Sequence, residues 1–134
     1  MGFLSATYTN RSINTGLLVL RLGMCILLIP HGYNKLVNFA GMKDKFLSFL
    51  GLGSDVSLGL SLFAEFFCGL FVLFGLFTRL ATIPIIINMG VATALAHNFD
   101  VFDTAEKPML FLIGFLTLLI TGPGRYSIDG MFRK

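Results

Sequence analysis

Four stretches of this chain, Gly16–Val37, Leu58–Phe77, Leu80–His97 and Ala105–Thr121, approach the length of apolar helix that a bilayer demands. A hydrocarbon core of about 30 Å takes ~20 apolar helical residues. Backbone groups in lipid have no water to bond, so a segment crossing it must satisfy them within its own helix or in a closed barrel. Composition agrees: 55% of the 134 residues are hydrophobic, with 15 Phe and no Trp, and the mean hydropathy is +0.84. A soluble domain of this size cannot bury so much apolar surface. The expectation is an all-α, antiparallel bundle of four transmembrane helices, a single domain over 1–134, with the lipid bilayer as its solvent.

The polar, Ser- and Thr-rich start through Thr15 lacks the short basic run of a cleaved signal, so the first helix is expected to be retained. The basic residues are scattered over the chain, and the formal charge is only +3, so nucleic acid is not an expected partner. Alternating helices would put Arg11, Arg79, Arg125, Arg133 and Lys134 on one side and Lys35, Lys43, Lys45 and Lys107 on the other. That difference favours cytoplasmic termini.

Pro30 removes a helical N–H beside His31 and is expected to bend the first helix, with Gly32 allowing close approach. Within Asn38–Ser57, the residues Phe46, Leu47, Phe49 and Leu50 alternate with charge and suit a short interfacial helix between helices one and two. Pro84 is expected in the first turn of the third helix. The fourth starts either at a capping pair of Asp103 and Glu106 or at Pro108, and stops at Gly122, Pro123 and Gly124.

An ionisable group at the centre of a membrane helix costs about 2.5–3.5 kcal/mol on insertion scales, so each needs a partner or an escape. At 100° per residue Arg21, Cys25, Leu28, Gly32 and Lys35 share one face of the first helix, with His31 on its flank. Ser61, Glu65, Cys68, Gly69 and Val72 make a matching stripe on the second, and Glu106, Leu110, Ile113 and Thr117 on the fourth. A rise of about 1.5 Å per residue gathers His31, Lys35, Glu65 and Glu106 in the half of the membrane away from the termini. These residues, with Asn88 turned inward on the third helix and His97 interfacial, are the candidate ligand-binding or polar core. The competing reading of Glu65 with His31 or Lys35 is an ion pair that only fixes helix register. Lys35 can also snorkel to the headgroups, and Glu106 with Lys107 can simply cap a helix.

Arg21, nearer the termini, is expected to form a structural ion pair with Asp129 if the tail folds back. Cys25 and Cys68 fall at similar depth and permit a thiol pair, although buried free cysteine as a small apolar residue is the commoner outcome. No metal-binding motif is present, and two separated histidines are a thin basis for a metal site.

RLGMCILLIPHGYNKL (Arg21 to Leu36), FAEFFCGLFVLFGLFTRLATIP (Phe63 to Pro84), AHNFD (Ala96 to Asp100) and TGPGRYSID (Thr121 to Asp129) together resemble the DoxX family of small bacterial membrane proteins. The resemblance covers nearly the whole chain, and Arg21, His31, Lys35, Glu65, Glu106 and Asp129 match the family's polar positions. It implies a four-helix protein of the bacterial inner membrane. The family takes its name from a subunit of a thiosulfate:quinone oxidoreductase, and other members resemble partners in thiol and oxidative-stress handling. The function expected is therefore a membrane subunit or partner of an oxidoreductase system, enzymatic only together with a soluble oxidoreductase or thiol-handling protein. Its polar pocket would take a quinone, with no cofactor on the chain itself. The alternatives are a non-catalytic anchor or assembly factor and a small proton-coupled transporter, and a homo-oligomer is open in each case.

Overall fold

The computed structural model describes residues 4–43, 51–96, 102 and 105–132, and these are helical with short connections. Helix α1 spans Asn10–Val37, followed by a short turn of helix, α2, at Phe39–Met42. Helix α3, Ser54–Leu62, runs through a π-helical segment at Phe63–Cys68 into α4, Gly69–Phe74. Helix α5, Thr78–Val91, likewise passes into a second π-helical segment at Ala92–Ala96. Helix α6 spans Glu106–Thr121 and a short α7 spans Ile128–Phe132.

Two of these helical stretches, Asn10–Val37 and Ser54–Phe74, are long and apolar enough to cross a bilayer. Thr78–Ala94 is apolar but shorter, and α6 has 16 residues. The core lies where α1, α4, α5, α6 and the first π segment meet, around Cys25, Leu28, Val72, Ile85 and Phe115. Many large apolar side chains point outward instead, among them Ile26, Leu27, Leu80 and Ile120. A bilayer accepts such a surface where water would not.

Several helix ends differ from the hydropathy reading, and each has a local cause. α1 begins six residues before Gly16, because Thr9 and Ser12 form a reciprocal capping box that satisfies the first free amides. It continues unbroken through Pro30 to Val37. α5 begins at Thr78, so Pro84 lies in its interior and not in the first turn. The early start follows from Asp129, whose two carboxylate oxygens accept the amides of Phe77 and Thr78 at 2.9 Å each. The turn between α4 and α5 uses left-handed backbone at Gly75 (φ 72°) and Phe77 (φ 48°). The residues expected to form an interfacial helix, Phe46, Leu47, Phe49 and Leu50, lie outside the described residues, and α2 at Phe39–Met42 precedes them. His97 and Asp103 lie outside them as well. α6 begins with Glu106 after an Ala105 cap, which makes Pro108 its third residue.

Candidate functional site

Among the described residues, the buried charged side chains mark two centres. They are 14 positions apart on α1, at Arg21 and Lys35, which a rise of ~1.5 Å per residue turns into roughly 20 Å.

The first centre joins α1 to the beginning of the first π segment. Lys35 Nζ lies 2.5 Å from Glu65 Oε2 and 2.8 Å from Ser61 Oγ. Ser61 and Glu65 are each 5% exposed and Lys35's side chain 17%, so the lysine is the accessible member. Ser61, in the last turn of α3, precedes Glu65 of the π segment by one turn, which brings hydroxyl and carboxylate onto the same side of the continuous helix.

Two backbone features make this contact possible. A π turn admits an extra residue per turn and alters where its side chains point, and such turns often mark functional sites; here it contains Glu65. Gly32 sits one turn before Lys35, where a Cβ would lie 2.6 Å from the Phe66 amide nitrogen and 2.9 Å from the Glu65 carbonyl carbon. Only hydrogen fits there, and it lets α1 lie directly against the π segment.

Aromatic residues neighbour the pair along both helices, and Tyr33 and Phe67 turn largely outward, at 54% and 45% exposure. Phe66 packs edge-on to Phe67 with ring centroids 5.2 Å apart and lies beside Tyr33 at 6.3 Å. His31, half-buried one turn before Lys35, meets Phe111 of α6 edge to face at 6.2 Å. Asn88 is half-buried on α5 and makes no side-chain hydrogen bond among the described residues. Glu106 is exposed in the first turn of α6 and does not join the buried pair.

The second centre holds Arg21, which is 2% exposed. Its guanidinium donates to the carbonyl oxygens of Pro123 (3.1 Å) and Tyr126 (2.7 Å), while Nε has no acceptor among the described residues. Asp129 is close enough to interact with its charge, but the carboxylate reaches Phe77 and Thr78 and forms no contact ion pair with Arg21. The direct Arg21–Asp129 bridge is therefore replaced by two separate locks on the tail. Two further bonds complete them: Arg125 N–H donates to Asn14 Oδ1 at 2.9 Å, and Asp129 N–H donates to the Gly75 carbonyl at 2.8 Å. Cys25 and Cys68 are free thiols buried in the same apolar core.

Ser61 and the tail carbonyls were not among the candidate residues. Ser61 shares the Glu65 stripe and could have been found from its spacing, whereas carbonyl acceptors carry no residue signature.

The DoxX family profile matches residues 16–98, a segment that contains the whole Lys35–Ser61–Glu65 centre. This chain belongs to the DoxX family. It is 34% identical to the Inner membrane protein YqjF of Escherichia coli (strain K12), with 90% of this chain and 95% of that one covered. The Inner membrane protein YphA of the same organism is 29% identical, with 84% and 87% covered. The Uncharacterized membrane protein Rv3486 of Mycobacterium tuberculosis (strain ATCC 25618 / H37Rv) is 32% identical over 52% of each chain. No solved structure matches. Family and apolar helices together make this DoxX chain a membrane protein.

Proposed function

We propose that this DoxX-family protein is the membrane subunit of an oxidoreductase system and binds a quinone head group at the Lys35–Glu65 centre. In this reading the chain is a four-span antiparallel bundle in a bacterial inner membrane, with cytoplasmic termini and the centre in the outer half. The observation that carries it is the 2.5 Å contact of Lys35 with Glu65, completed by Ser61. A quinone carbonyl needs a donor where the surroundings are otherwise apolar, and Lys35 supplies one from the more exposed side of the pair. Reduction to the hydroquinone takes two electrons and two protons. Glu65, held beside the lysine, is placed to carry a proton, and the electrons come from a soluble partner.

Heat protection of the purified protein by ubiquinone or menaquinone analogues tests this. The midpoint should rise with the analogue and the rise should shrink in Glu65→Gln. An unmoved midpoint with every quinone tried would remove the proposal.

A second reading, a non-catalytic anchor or assembly factor, is favoured by the way Lys35, Ser61 and Glu65 satisfy one another. It requires that a Lys35→Met, Glu65→Gln double variant still complement a deletion strain, which the quinone reading forbids.

A further inference from the structure

The second polar end of the bundle carries a feature that the quinone reading does not use. An open cleft of about 1150 Å³ lies between the α4–α5 turn and the residues after α6, lined by Thr78, Arg79, Leu80, Gly122, Arg125 and Asp129 among others. We propose that this cleft binds the headgroup phosphate of an anionic phospholipid.

Charge is the first argument. Arg79 and Arg125 are both exposed and both line the cleft. Arg79 lies against Gly122, where a Cβ would come within 3.2 Å of its Nε, and its one side-chain bond among the described residues is a long 3.4 Å donation to the Ile120 carbonyl. The Arg125 side chain has no hydrogen bond among the described residues. The lining acid, Asp129, is turned to the Phe77 and Thr78 amides. Two planar guanidinium groups with donors to spare match phosphate oxygens.

The backbone and one buried hydroxyl point the same way. The first-turn amides of Arg79 and Leu80 in α5 have no carbonyl one turn back to receive them. Thr78 begins that turn and lines the cleft, is 0% exposed, and has a hydroxyl oxygen without a hydrogen-bond partner among the described residues. A buried unpaired hydroxyl beside free amides is an incomplete polar site, and an anion's oxygens would complete it.

The rim distinguishes a lipid from a free anion. Leu80 and Met131 line the same cleft and are 69% and 74% exposed. A phosphate seated between the arginines would lay its acyl chains along these side chains, at the level where the helices leave the hydrocarbon.

Native mass spectrometry of the full chain released from detergent, with phosphatidylglycerol or phosphatidylcholine added, tests the site. Phosphatidylglycerol should remain bound where phosphatidylcholine does not, a comparison on the unaltered protein that needs no variant to fold. Arg79→Gln and Arg125→Gln should each weaken binding about fivefold, the worth of one basic residue at an anionic surface. Thr78→Val should weaken it as well, and Arg11→Gln, an exposed arginine outside the cleft, should not. Equal retention of both lipids, full binding by the double arginine variant, or an equal loss in Arg11→Gln would overturn the proposal. Displacement of phosphatidylglycerol by millimolar inorganic phosphate would overturn the lipid as occupant, leaving a free-phosphate site.

Discussion

Lys35 reaches Glu65 across the contact of α1 with the first π segment, Nζ to Oε2 at 2.5 Å, because Gly32 lets the two backbones touch one turn away. Removing one member leaves the other charge buried without its partner. Lys35→Met should therefore cost about 3–5 kcal/mol of unfolding free energy. The Lys35→Met, Glu65→Gln double variant should recover a large part of that loss. Unfolding followed by helical circular dichroism in detergent provides both values, and strictly additive losses would contradict the coupling.

Gly32→Ala places a methyl against the Phe66 backbone, which has nowhere to go. Overpacking of this kind costs about 1–3 kcal/mol, and the displaced helix should also weaken quinone protection. Gly23 on the same helix has nothing among the described residues within 4 Å of a new Cβ. Gly23→Ala should be neutral or stabilise the helix by about 0.5–1 kcal/mol. Similar losses at the two glycines would contradict the packing described.

Asp129→Ala removes the acceptor for two amides at the start of α5. A lost cap costs about 0.5–2 kcal/mol, and Asp129→Asn should cost less because its amide oxygen still accepts. Hydrogen exchange at Phe77 and Thr78 should accelerate in the alanine variant. Unchanged exchange there would mean that the cap contributes nothing.

Arg21→Met leaves the carbonyls of Pro123 and Tyr126 without their donor. A hydrogen bond to a charged group contributes about 1.5–3 kcal/mol, so the tail should open tenfold or more often. Trypsin cleavage after Arg125 should speed up by a similar factor. An unaltered cleavage rate would show that other contacts hold the tail.

Hydropathy located the apolar helices, because burial in lipid acts on every residue of a span. Their ends were less legible. The Thr9–Ser12 box that starts α1 is local and could have been read from the sequence, but the α5 start depends on Asp129, 51 residues beyond Thr78. The Lys35 and Glu65 faces were legible from helical spacing, since two ionisable side chains on inward stripes need each other. The π segment around Glu65 was not, because a change of helical register has no residue signature of its own. Depth along the bundle makes Asp129 the level partner of Arg21 once the tail folds back. In the fold, closer carbonyls and amides outcompete the attraction between the two.

The most direct test of quinone binding is photolabelling of the purified protein with an azido-quinone, followed by peptide mapping. Label should appear on the His31–Lys35 turn of α1 and on the Phe63–Cys68 segment. Native quinone should compete it away, and Glu65→Gln should reduce it. Label that falls elsewhere on the chain, or that excess quinone does not displace, would contradict a quinone site at Lys35 and Glu65.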